Sequence, residues 1–232
     1  MLPFATSFAS IDVALVVPSL LGLLFISAIA KSVKAKYLAA FALGLCLWFF
    51  SDTIGDSAYL DVNQGFTGGA VQVALVALFV IGLLLLFSLD RRVFDATEAV
   101  TGTDFTIPLL VAVAVGVHGW GEGAAFSATA AATPATNLVD AFGGVSAAFA
   151  FVLHKALEPM MVGTASWVYA KDHAKTASGL IKDIIVLALA FTLPGILGGA
   201  TDYFLSYDTS YFFAFGLGTS VYAAVRLAKR RD

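Results

Sequence analysis

The sequence predicts an all-α, polytopic membrane protein, built as a bundle of seven transmembrane helices. Apolar runs of about 20 residues, the length of a membrane-spanning helix, recur along the 232-residue chain. Hydrophobic residues make up 59% of the sequence and charged residues 12%, whereas soluble domains carry about 25% charged residues. No polar stretch is long enough for a soluble domain, so residues 1–232 are predicted to form a single transmembrane domain.

The predicted helices follow one another with short polar connections. The first has no preceding Lys or Arg, which a signal peptide would have, and is therefore interpreted as a retained helix. The fifth is long enough to tilt in the membrane, and the sixth is expected to be broken at Pro194-Gly195 and Gly198-Gly199. The predicted spans cover residues 11–30, 37–54, 70–89, 105–128, 138–169, 184–200 and 210–227.

The basic residues set the predicted orientation. Of the 13 Lys and Arg residues, all except Lys155 lie after, or at the end of, spans one, three, five and seven. Because positively charged segments stay in the cytoplasm, the N-terminus is predicted to be outside and the C-terminus cytoplasmic. We expect a multi-pass protein of the plasma membrane, in contact with the lipid bilayer and without a nucleic-acid partner.

Two histidine–glutamate pairs lie within the apolar spans. His118 and Glu122 belong to span four, and His154 and Glu158 belong to span five. In a helix, residues four apart share one face. Spans four and five are expected to be antiparallel neighbours, because the loop between them is short. This arrangement sets His118 near the depth of Glu158, and Glu122 near that of His154.

The cost of burying these groups favours a metal ion. A charged side chain at the centre of a membrane helix costs on the order of 3 kcal/mol, and a divalent cation would neutralise both carboxylates. Imidazole and carboxylate ligands suit zinc or ferrous iron. The sequence therefore predicts a metal site, and the structural alternative is two self-contained His–Glu hydrogen bonds, one within each helix.

Six further residues are candidates for a cation pathway. Three carboxylates are expected near the outer mouth, one lysine beside the site, and a histidine and an aspartate on the cytoplasmic side. Each carboxylate or histidine also fits a solvated helix end or loop. These candidates are Asp52, Asp56, Asp140, Lys155, His173 and Asp183.

The two motifs resemble those of the ZIP (Zrt-, Irt-like) family of divalent-metal transporters. Span four reads His118-Gly-Trp-Gly-Glu122-Gly, which is similar to the family's His-Asn-x-Pro-Glu-Gly, and span five reads His154-Lys155-Ala-Leu-Glu158, which is similar to His-Lys-x-Pro-Glu. The chain lacks the family's proline before each glutamate, and seven spans are counted where the family usually has eight. The resemblance implies metal import. Gly119 stands where the family has an asparagine ligand to a second metal, and with Lys155 it predicts a single ion.

These observations predict an importer of divalent transition-metal ions. Zn²⁺ is the favoured substrate, Fe²⁺ and Mn²⁺ are alternatives, and a homodimer is a candidate assembly. No nucleophile with a paired base stands out, so an enzyme is not expected. The alternative is an integral-membrane metal-binding enzyme, or an accessory subunit that does not transport. A retinal protein is disfavoured because span seven has no Lys before Lys229.

Overall fold

The computed structural model of the chain describes residues 4–63, 70–94, 105–132, 139, 144–172, 176–205 and 207–229. Within these residues there are seven α-helices and no strand. A π-helical turn, Asp90–Phe94, continues the third helix. The helices are α1 Phe4–Ala30, α2 Ala35–Asn63, α3 Ala70–Leu89, α4 Thr106–Ala132, α5 Val145–Asp172, α6 Ala177–Leu205 and α7 Ser210–Lys229.

Six of these helices, α1 to α6, are long and apolar enough to cross a membrane. Together they indicate an integral membrane protein, as the composition predicts. The seventh predicted span is the 20-residue helix α7, which is not among the six found within the described residues. The count of seven spans and the orientation of the bundle stay predictions.

The expectation that Pro194-Gly195 and Gly198-Gly199 break the sixth span is wrong. Helix α6 runs without interruption from Ala177 to Leu205. Its proline ring packs beside Gly116 of α4, where an added Cβ would lie 3.1 Å from Pro194 Cγ. Membrane helices tolerate an internal proline where neighbouring helices accommodate it. Helix α5 likewise continues through Pro159.

Glycines bring three pairs of helices into close contact. An added Cβ at Gly123 of α4 would clash with the backbone of Gly195 in α6. An added Cβ at Gly22 of α1 would clash with the backbone of α5, and one at Gly82 of α3 with the backbone of α7. Small residues are what allow membrane helices to approach so closely. The close-packed pairs are therefore α4–α6, α1–α5 and α3–α7, and α2 packs against α5 and α7.

Helix α4 is the most buried part of the bundle. In its apolar window 72% of the residues are buried, compared with 11% in the window of α3. It packs most extensively against α6 and α7, whereas α5 packs mainly against α1 and α2. The predicted contact between α4 and α5 is present but less extensive. The two helices that carry the His/Glu pairs therefore belong to different close-packed pairs and meet in the interior.

An ion pair with a buried aspartate joins the π-helical turn after α3 to α7. Arg226 Nε lies 2.6 Å from Asp90 Oδ2, and its Nη2 donates to Asp90 Oδ1 at 3.1 Å. Tyr222 also donates its hydroxyl hydrogen to Asp90, whose residue is 1% exposed. Because its carboxylate is paired and hydrogen-bonded on both oxygens, this aspartate is tolerated in the interior.

Candidate metal centre

Four side chains converge where α4 faces α5. They are His118 and Glu122 of α4 and His154 and Glu158 of α5, and each contributes one potential ligand atom. These four atoms all lie within 4.8 Å of one another. His118, Glu122 and Glu158 are buried, and the side chain of His154 is 25% exposed. Among the residues that the structure describes, this is the group of His, Cys, Asp and Glu side chains that could hold a metal ion.

The shortest of the four His–Glu contacts runs between the helices, as the antiparallel arrangement predicts. His154 Nε2 lies 3.0 Å from Glu122 Oε1 and 3.2 Å from Glu158 Oε1. His118 Nε2 lies 3.7 Å from Glu122 Oε1 and 3.8 Å from Glu158 Oε1. A tetrahedral zinc ion with bonds of about 2.0–2.2 Å separates its ligand atoms by roughly 3.3–3.5 Å. The four contacts bracket that separation, and the two remaining ligand pairs lie within 4.8 Å, so each ligand atom would need to shift by less than about 1 Å to bind such an ion.

The alternative of two self-contained hydrogen bonds does not describe this geometry. Within α5, the His154–Glu158 hydrogen bond is present at 3.2 Å. Within α4, the corresponding distance of 3.7 Å is beyond a hydrogen bond. His154 is also closer to Glu122 of the other helix than to its own partner. The four groups therefore form one cluster that links the two helices.

Lys155 lies in the cluster and binds one oxygen of each glutamate carboxylate. Its Nζ donates to Glu158 Oε2 at 2.7 Å and also to Glu122 Oε2. The two Oε1 atoms are the ones that face the histidines. Lys155 itself is 3% exposed. Each glutamate therefore offers one oxygen to a metal ion, while the ammonium group holds the other oxygen and fixes the carboxylate's direction.

Aromatic rings enclose the two imidazoles. Phe49 meets the His118 ring edge to face at 4.9 Å, and Phe213 lies 5.5 Å from the same ring. Trp48 contacts the His154 ring edge to face at 5.3 Å, and Phe151 lies parallel to it at 6.5 Å. Edge-to-face and offset contacts are the favourable aromatic geometries. These rings hold the imidazoles in place and keep water from the buried side of the cluster.

Two glycines allow α7 to approach the site. An added Cβ at Gly216 would lie 3.3 Å from His118 Cα. An added Cβ at Gly121 would lie 2.9 Å from the ring of Phe213. A larger residue at Gly216 would require α7 to move by a few tenths of an ångström, and a larger residue at Gly121 would displace the Phe213 ring. Nothing in the sequence connects Gly121 with Phe213, because the two residues are distant along the chain.

The remaining predicted residues have different positions. Asp52 of α2 reaches the cluster, with its Oδ2 3.5 Å from His154 Nε2. Asp56 lies one helical turn further along α2, but its side chain is outside the described residues. Asp183 lies near the start of α6 and is partly exposed. Asp140 and His173 lie outside the described residues.

The aromatic residues around the site were not predicted as part of it. A usable signal exists in α2, where Trp48 precedes Asp52 by four residues and therefore shares its helix face. No comparable spacing connects Phe213 with His118, because that contact joins two helices that are distant in the sequence. Such contacts depend on the packing of the bundle.

Comparisons of the chain with protein-family models, with curated proteins and with solved structures gave no match. What the chain does is therefore inferred from the cluster and from the bundle that holds it.

Proposed function

We propose that this protein imports a divalent transition-metal ion across the plasma membrane, through the cluster between α4 and α5. Zn²⁺ is the favoured substrate, with Fe²⁺ or Mn²⁺ as alternatives. The observation that carries the proposal is the convergence of two imidazoles and two carboxylates within 4.8 Å, inside a bundle of helices apolar enough for a membrane. The resemblance of both motifs to the ZIP family supports the same substrate class.

The charges of the cluster favour a divalent ion. Glu122 and Glu158 are both buried, and Lys155 supplies one positive charge against their two negative charges. The remaining negative charge costs free energy in a low-dielectric interior. Neutral imidazoles and ionised carboxylates are the forms that bind a metal. A cation between the two Oε1 atoms would therefore gain both ligation and charge neutralisation.

The distribution of ligands supports transport over storage. Two ligands come from α4, which is paired with α6, and two come from α5, which is paired with α1. A relative movement of these helix pairs would separate the ligands and release an ion. Transporters place substrate sites near the bilayer midplane, between units that move relative to each other. The partial exposure of His154 gives an ion a point of access from one side.

One observation favours a second candidate function. The ammonium group of Lys155 already binds both carboxylates. Such an arrangement is expected of a cluster that holds α4 and α5 together and does not pass ions across the membrane. In that case the protein would be a metal-binding accessory subunit of a membrane complex that does not transport. Flux measurements distinguish the two candidates.

The test is uptake of Zn²⁺ into proteoliposomes that contain a fluorescent zinc indicator. The parent protein should give zinc uptake above that of protein-free vesicles, and Glu122→Gln should reduce it at least about tenfold, because the amide cannot neutralise the ion. Glu98→Gln is the control, since Glu98 is the one glutamate of the chain outside the two motifs. Zinc binding without uptake by the parent would favour the accessory subunit.

A further inference from the structure

Asp52 is the one further carboxylate in contact with the cluster among the described residues. It comes from a third helix, α2, and its Oδ2 lies 3.5 Å from His154 Nε2. That oxygen is buried and has no hydrogen-bond partner in the described part of the chain, although the side chain as a whole is 24% exposed. Buried carboxylate oxygens normally have a partner. The position of Asp52 Oδ2 beside the cluster therefore suggests that this oxygen takes part in the site.

The sum of charges around the cluster supplies that explanation. Two glutamates and Lys155 together carry one negative charge. A divalent ion bound there, with both imidazoles neutral as ligation requires, would leave one positive charge without compensation. Adding the carboxylate of Asp52 gives three negative charges, against one from Lys155 and two from the ion. With Asp52 the loaded site is neutral, and without it the site carries a net positive charge inside the membrane.

We propose that Asp52 is the third carboxylate of the metal site, and that it offsets the charge of Lys155 so that a divalent ion can bind. This inference rests on the proposed function. Asp52 contacts the cluster at His154, whereas Lys155 binds the Oε2 atoms of the two glutamates. An ion bound to His154 Nε2 is adjacent to Asp52 Oδ2, because the two atoms are 3.5 Å apart. The site is therefore built by three helices rather than two.

A charge-rescue experiment tests this role. Zinc affinity is measured on the purified full-length protein in lipid nanodiscs, with free Zn²⁺ set by a chelator buffer. Asp52→Asn keeps the side-chain shape and removes one negative charge, so the affinity for zinc should fall about tenfold or more in this low-dielectric setting. Lys155→Met in the same background removes the opposing positive charge. The double variant Asp52→Asn/Lys155→Met should recover most of the lost affinity.

The control is Asp208→Asn, which neutralises an exposed aspartate just before α7, outside the cluster. It should leave zinc affinity within about threefold of the parent. An equal loss in Asp208→Asn would overturn the inference, because the effect would then be a general consequence of lost negative charge and not a role of Asp52 in the site. A double variant weaker than Asp52→Asn alone would also overturn it, because charge balance predicts recovery.

The outcome also separates this inference from the proposed function. If the parent binds no zinc, the proposed function fails and the role of Asp52 fails with it. If the parent binds zinc and Asp52→Asn binds it equally well, the inference about Asp52 fails alone. Size-exclusion profiles of the nanodisc samples identify a variant that has not folded, and Lys155→Gln then replaces Lys155→Met in the rescue.

Discussion

Replacing Lys155 by Met should make the stability of this protein depend on metal. The Lys155 ammonium group is 3% exposed and binds Oε2 atoms of Glu122 and Glu158. Removing one partner from a buried ion pair costs about 3–5 kcal/mol, because the other charge remains buried without compensation. Methionine has a similar length and no charge. Without metal, Lys155→Met should therefore unfold at a lower temperature than the parent.

Zinc should reverse most of this loss. An ion present at 100 times its dissociation constant stabilises the folded state by about 2.7 kcal/mol. Each further tenfold gain in affinity adds about 1.4 kcal/mol, and the variant should bind more tightly because the ammonium no longer repels the cation. The zinc-induced rise in melting temperature should therefore be larger for Lys155→Met than for the parent.

The assay is thermal unfolding in nanodiscs, followed by intrinsic tryptophan fluorescence, with a chelator or with buffered Zn²⁺. Lys182→Met serves as the control, since Lys182 is an exposed lysine of α6, and it should behave as the parent in both conditions. The reasoning is refuted if Lys155→Met without metal is as stable as the parent. It is also refuted if zinc stabilises the variant no more than the parent.

Three further predictions follow from the charges of the chain. A tag at Met1 should be labelled from outside intact cells and a tag after Asp232 should not; labelling of both would mean an even number of spans. Zinc binding should release protons, and zinc affinity should weaken as pH falls from about 7.5 to 5.5, because the ligands bind only as neutral imidazole and ionised carboxylate. Calorimetry in buffers of different ionisation enthalpy measures the released protons, and zero release between about pH 6 and 7 would contradict the prediction. Asp90→Ala should lower the unfolding free energy by about 1–3 kcal/mol, because the partly buried Arg226 and Tyr222 lose their shared hydrogen-bond partner; unfolding at the parent's temperature would contradict it.

The core of the candidate site could be predicted from local spacing. Both His/Glu pairs are four residues apart, and helical geometry alone places each pair on one face. The short loop between the two spans then predicts that α4 and α5 are antiparallel neighbours. This arrangement sets His154 opposite Glu122 and His118 opposite Glu158. The structure has these atoms 3.0 Å and 3.8 Å apart.

The contributions of other helices could not be predicted in the same way. Asp52 reaches His154 from α2, and Phe213 reaches His118 from α7. No periodicity links residues so far apart in the sequence, because their contact depends on how glycines set the distances between helices. The direction of the Lys155 side chain cannot be predicted from the sequence for a related reason. Lys155 follows His154 in the sequence, but its contact with Glu122 depends on the packing of α4 against α5.

Proline in α6 shows where a local rule gives the wrong result. A proline within an apolar run removes one backbone hydrogen bond and predicts a break. In this bundle Gly116 of α4 leaves room for the ring of Pro194, and the close packing of α4 with α6 supports the continuous helix. The length of α6 therefore reflects a tertiary contact that its own sequence does not contain.

The most direct test of the central claim is the number and position of metal ions in the protein. Metal analysis of zinc-loaded protein should give one ion per chain, since Lys155 holds the carboxylate oxygens that a second ion would need. Anomalous scattering at the zinc edge should place that ion among His118, Glu122, His154 and Glu158. Two well-occupied ions within about 4 Å of each other, the usual binuclear separation, or a zinc ion bound elsewhere with this cluster empty, would contradict the account.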